Sequence, residues 1–139
     1  MSVVSTPTHR GQVIPAPSVR GFGTILRVRS FLLLQIAILL SMISIHFGLL
    51  IGGYRHRSAG SAELLIAAVL VAGLLLTWMP APWSRRPAAA TQSFGILGVL
   101  GGFLTIAAGI GPRTTLDLFL NAVMLLTLIA GLATTLRKP

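Results

Sequence analysis

Hydrophobic positions along this chain fall in four long blocks, at about 31–53, 62–79, 90–110 and 115–136. Apolar residues within a block do not alternate with polar ones, which excludes the short two-faced strands of a membrane barrel. Each block holds about 18–23 residues, enough to cross roughly 30 Å of hydrocarbon as a helix rising 1.5 Å per residue. The breaks carry residues that stop helices: Gly52-Gly53-Tyr54-Arg55-His56-Arg57, then Pro80-Ala81-Pro82-Trp83-Ser84-Arg85-Arg86-Pro87, then Gly111-Pro112-Arg113. The pattern predicts an all-α, polytopic integral membrane bundle of four transmembrane helices. Tyr54, Trp78 and Trp83 fall where an aromatic belt at the membrane boundary would hold them.

Residues 1–28 follow a different rule. They are polar and free of acids, with Pro7, Pro15 and Pro17 and with Arg10, Arg20 and Arg27, and they read as a disordered basic tail. Val19, Phe22, Ile25 and Leu26 recur at helical spacing, so a short interfacial helix is expected to lead into the first span. The chain thus divides into a tail (1–28) and a four-helix transmembrane domain (29–139). Multi-pass insertion in a cell (inner) membrane is expected. An acid-free, Arg-rich tail also resembles a mitochondrial presequence, which makes the mitochondrial inner membrane the alternative.

Composition narrows the class. Of 139 residues, 54% are hydrophobic and 9% charged, with mean hydropathy +0.88. A water-soluble domain of this size carries far more charge on its surface. The absence of cysteine excludes disulfides, thiolate metal sites and thiol catalysis. A net charge of +9 would suit nucleic acid, but the cations are spread over the ends of the apolar blocks, so the lipid bilayer is the expected partner. Arg10, Arg20, Arg27, Arg29, Arg85, Arg86, Arg137 and Lys138 share one side; Arg55, Arg57 and Arg113 share the other. Eight against three predicts that both termini are cytoplasmic. Arg27, Arg29, Arg85 and Arg86 are then expected to face anionic headgroups.

Small residues mark two helix faces. Gly95, Gly98, Gly102, Thr105 and Gly109 lie within about 80° of one another on the third helix, at about 100° per residue. Ser44, Gly48 and Gly52 form a second stripe on the first helix, with Gln35, Met42 and His46 on the opposite side. Such stripes let helices approach closely where no hydrophobic drive exists between them. They point to a non-enzymatic integral membrane protein that packs as a homo-oligomer or as an accessory subunit of a larger membrane complex.

Polar positions give the alternative. His46 is expected about 9 Å inside the first helix, six residues from its end. Glu63 opens the second helix, where a carboxylate suits the helix dipole. Thr114 followed by Asp117 is close to a capping box. Arg113 is spaced to pair with Asp117 one turn on, and Asn121 is expected to seek an interhelical hydrogen bond. His46, Glu63, Arg113, Asp117 and Asn121 all belong to one half of the bundle. Converging faces would make them a polar pocket for a small proton- or cation-linked carrier. No nucleophile elbow, phosphate loop or zinc-protease motif occurs, and His9, His46 and His56 lack ligand spacing, so neither catalysis, metal nor cofactor is expected.

The Pro82-Trp83-Ser84 turn, and the Gly111-Pro112-Arg113-Thr114 helix start followed by Asp117, resemble those of small uncharacterised four-helix bacterial membrane proteins over residues 60–136 or so. The resemblance implies the helical membrane fold and carries no activity.

Overall fold

The computed structural model describes residues 19–79 and 85–137, which form α1 (Val19–His46), α2 (Arg57–Leu76), α3 (Arg85–Ala107) and α4 (Thr115–Leu136). Gly23–His46 of α1 and the whole of the other three helices are long and apolar enough to span a membrane. The tail before Val19, the Pro82-Trp83-Ser84 turn and Lys138 lie outside the described residues. The helices form a ring in chain order, α4 closing against α1, while α1 and α3 meet only weakly across the diagonal. One end of the bundle carries the α1–α2 and α3–α4 turns and is called the turn end below; the opposite end carries the starts of α1 and α3 and the ends of α2 and α4.

Burial follows a heptad. In α1 the inward positions are Val28, Leu32, Gln35, Leu39, Met42 and His46. In α4 they are Asp117, Met124, Leu128, Gly131 and Thr135. Steps alternating between four and three residues average 3.5, the seam of a bundle with coiled-coil-like packing. The outward positions are apolar instead: Leu97, Leu104 and Leu126 are 69%, 71% and 68% exposed, whereas Gln35, Gln92 and Asp117 are buried. Polar inside and apolar outside is an arrangement for hydrocarbon, not water.

The α4 bounds are those the sequence predicts; α2 and α3 begin earlier and end earlier than the expected 62–79 and 90–110, at Arg57–Leu76 and Arg85–Ala107, and α1 departs furthest. α1 begins at Val19 as one continuous rod, so the segment from Val19 is neither a separate interfacial helix nor part of a disordered tail. α1 also stops at His46, well short of Gly53. The cause is Gly48, which adopts φ +75°. Gly48 N–H donates to Ile45 O and Leu49 N–H to Ser44 O, both at 2.8 Å. These two bonds are a Schellman motif with glycine at the left-handed position. α3 ends the same way: Gly109 has φ +80°, its N–H donates to Ile106 O (3.1 Å), and Ile110 N–H donates to Thr105 O (3.0 Å).

The small-residue stripes are corrected accordingly. Gly48, Gly52 and Gly109 are turn residues, not helix-packing positions. Ser44 donates back to Leu40 O. Gly95 and Gly98 do pack, and their neighbours are in the same chain. A Cβ on Gly95 would stand 2.9 Å from Leu128 Cδ2, and one on Gly98 would stand 2.5 Å from Ile66 Cδ1. Thr105 donates to Gly102 O, and Gly102 faces Asn121.

At the other end, two of the arginines cap helix ends. Arg29 Nη2 donates to Thr77 O at 2.8 Å and lies over the Trp78 ring, 4.7 Å from its centroid. Arg85 donates to Thr135 O and Arg137 O at the end of α4. A cation on orphan C-terminal carbonyls is favoured by hydrogen bonding and helix dipole together.

Candidate functional site

Because α1 ends at His46, that residue is at the helix terminus rather than two turns inside it. Gly60 on α2 sets the distance to the next helix: a Cβ there would stand 3.3 Å from His46 Cβ and 3.1 Å from Phe47. With that side chain missing, α2 approaches closely, and Glu63 reaches His46 Nδ1 with Oε2 at 2.7 Å. From the other side, Asp117 in the first turn of α4 meets His46 Nε2 with Oδ1 at 3.0 Å. The imidazole is held between two carboxylates, and all three residues are buried at 2%, 8% and 1% exposure.

Asp117 is fixed by its own helix start. Thr114 is the N-cap; its Oγ1 accepts from Asp117 N–H, and its own N–H donates to Asp117 Oδ2, both at 3.2 Å. This reciprocal pair is the predicted capping box. The Thr114 hydroxyl also donates to Oδ2 at 2.6 Å, as does the Tyr54 phenol. Tyr54 further stacks on His46, with centroids 5.8 Å apart and planes 24° apart, and meets His56 edge-on at 5.2 Å. The ring expected in an aromatic belt is therefore a lid over the buried ion set. Burial, followed by the bond to Asp117, pushes the Tyr54 phenol up to about 12.

Two other predicted members are placed differently. Arg113 does not pair with Asp117: it precedes the N-cap in non-helical chain, so the one-turn helical spacing does not apply. Its guanidinium is exposed and packs over Gly109. Asn121 makes no interhelical bond with its Nδ2, which donates to Asp117 O of its own helix at 2.9 Å. It lines the cavity instead.

That cavity has a volume of about 420 Å³ and lies between the four helices at the turn end. Leu39, Met42, Ile66 and Val99 give it an apolar floor, while His46, Glu63 and Asn121 supply polar wall. Among the described residues no group of three His, Asp or Glu side chains has the geometry to hold a metal.

The charge of the site follows from its bonds. Each of the two His46–carboxylate contacts contains one proton, whether that proton rests on nitrogen or oxygen. Two protons shared by one imidazole and two carboxylates leave a net charge of −1. Donors from Tyr54, Thr114 and His46 converge on Asp117. Among the described residues Glu63 receives only the His46 contact, through Oε2, so Oε1 is the oxygen with room for a further proton or a cation.

Sequence reading missed two participants. Tyr54 gives no local signal, since a turn tyrosine beside a membrane helix has an ordinary explanation. Gly60 is readable only as a small residue one turn before Glu63. No protein-family model, curated protein or solved structure matches this chain.

Proposed function

We propose that this chain is a small, non-enzymatic integral membrane carrier that couples occupancy of the turn-end cavity to proton or cation exchange at Glu63. The observation that supports this reading is the cavity's position against a buried, net-negative ion set. A lone negative charge in a low-dielectric interior is unfavourable, so the set gains from any proton or cation that neutralises it. The homo-oligomer and accessory-subunit reading drew on the glycine stripe of α3, whose Gly95 and Gly98 are occupied by side chains of the same chain. The eight-to-three cation distribution supports cytoplasmic termini, which would open the cavity on the opposite face.

The test is electrical. Proteoliposomes adsorbed on a capacitive membrane are given a pH step, and the protein should produce a transient charge movement that Glu63→Gln removes. A wild-type protein that moves no charge under any imposed gradient of protons or monovalent cations would sink the carrier reading.

A further inference from the structure

Resting on that reading, we infer the class of its ligand: a lipophilic monocation, an ammonium group on an apolar body, which enters sideways from the bilayer between α2 and α3. Three features of the cavity carry the assignment.

The first is charge. Among the described residues no Lys or Arg lines the cavity, and the carboxylate in its wall is Glu63, itself bonded to His46. The titratable groups around this carboxylate are His46 from α1, Asp117 from α4, and Tyr54 and His56 from the α1–α2 turn, while the described part of α3 turns only apolar, small or amide side chains inward. Arg55 packs against Gly48, and Arg57 and Arg113 are exposed. An anion would meet a net-negative wall; a cation would meet Glu63 Oε1.

The second is surface. Most of the wall is aliphatic or glycine, so only a ligand with an apolar body gains from filling it. A volume of about 420 Å³ fits a small aromatic or branched aliphatic amine.

The third is access. α2 and α3 are tight near their far ends, where a Cβ on Gly73 would collide with Thr91 Oγ1, and again at Gly98 against Ile66. One turn nearer the turn end, a Cβ on Gly101 would meet nothing within 4 Å. There Ser58 and Ala62 on α2 and Thr105 on α3 both line the cavity and are exposed. These residues belong to helices long and apolar enough to span a membrane, and with those helices in a bilayer the gap would face lipid. An amphipathic ammonium resting at headgroup depth, with its body in the acyl region, is presented to this gap in the orientation the cavity needs.

Charge balance adds a consequence. The ion set is neutral with a third proton on Glu63 or with the ligand's cation beside it, so the two compete, and ligand affinity falls as pH falls.

Equilibrium dialysis of the full chain in mild detergent tests this with phenyltrimethylammonium and its uncharged isostere tert-butylbenzene. Gly101→Leu, whose Cβ is clear of neighbours, fills the cavity and sets the micelle background; Ala62→Leu repeats that control from the other wall. The cation should bind at least about tenfold more tightly than the isostere. Glu63→Gln should abolish that preference while leaving isostere binding intact, and cation affinity should fall as the pH is lowered. Equal binding of both probes overturns the cation assignment and leaves a cavity that binds ligands. Retention indistinguishable from both filled variants overturns the ligand-binding reading as well. A preference that survives in Glu63→Gln overturns Glu63 as the counter-charge, and a pH-independent affinity overturns the competition.

Discussion

Two polar layers interrupt the apolar seam, and they are built on opposite principles. At the turn end, His46, Glu63 and Asp117 are ionisable groups with each His46 nitrogen matched to a carboxylate oxygen. Toward the other end, Gln35 and Gln92 flank Gly131, both fully buried and both neutral. Gln35 Nε2 donates to Thr127 O at 2.9 Å, and Gln92 Oε1 accepts from Thr135 at 3.1 Å. Gln35 Oε1 and Gln92 Nε2 have no hydrogen-bond partner among the described residues. The charged layer borders a cavity; the amide layer is squeezed against α4. The difference teaches that completeness of bonding and role are separate matters. The charged layer, with both His46 nitrogens bonded, still carries an unneutralised charge, whereas the amide layer, with two unpartnered atoms, carries none and is packed against α4.

The largest expected effect comes from breaking the charged layer. His46→Ala leaves two buried carboxylates without their common donor, and losing one partner of such a set costs about 3–5 kcal/mol. Unfolding by titration with a denaturing detergent measures it. A loss below about 1 kcal/mol, the range of an exposed pair, would mean that the layer is open to water.

The amide layer is sensitive to volume rather than charge. A Cβ on Gly131 would stand 2.5 Å from Gln35 Nε2 and 2.7 Å from Gln92 Nε2. Gly131→Ala should therefore cost about 1–3 kcal/mol by overpacking, against the ordinary gain in helix propensity from glycine to alanine. The same unfolding assay decides it, since a stabilised Gly131→Ala protein would show that both amides can move aside.

How far the two layers could be read in the sequence differs for physical reasons. Helix number, type and the α4 bounds follow from apolar length and from the Thr114–Asp117 cap, which are local signals. The end of α1 is not legible in hydropathy, because Leu49, Leu50 and Ile51 keep the apolar run going past it. Hydropathy does not register backbone handedness, and Gly48 with an apolar residue after it was the available sign of a helix end. Convergence of His46, Glu63 and Asp117 depends on the rotation of three helices about their axes. The four-three spacing of buried positions places His46 and Asp117 in inward register, but which ends meet is a property of the closed ring. Arg113 differs for the opposite reason: it precedes the Thr114 N-cap, where helical spacing does not hold.

A spectroscopic measurement sharpens the lid. Tyr54 is the chain's only tyrosine, so phenolate absorbance on alkaline titration reports it alone. The expected midpoint is about 12, above the ordinary value near 10. The folded value is raised, so the stability Tyr54 contributes is intact below pH 10 or so and is lost as pH rises through about 12. A midpoint near 10 would show that the ring does not cover Asp117. Tyr54→Phe should leave the fold in place and cost about 1 kcal/mol, the net worth of one hydrogen bond.

The smallest expected effect is the most discriminating. Leucine is close to glutamine in volume, and Gln35→Leu removes a bond to Thr127 O together with the unpartnered Oε1. Interhelical hydrogen bonds in membranes are worth about 0.6 kcal/mol on average, and removing an unmet polar atom offsets that loss. Gln35→Leu should thus change stability by less than about 1 kcal/mol. The double variant Gln35→Leu/Gln92→Leu should do little more, because Thr135 keeps its bond to Gly131 O at 2.9 Å. Charge movement in proteoliposomes should be unaffected by either change, since the charged layer is untouched. A collapse of charge movement with stability preserved would overturn the comparison itself, making the amide layer part of the route for protons rather than the packed floor beneath it.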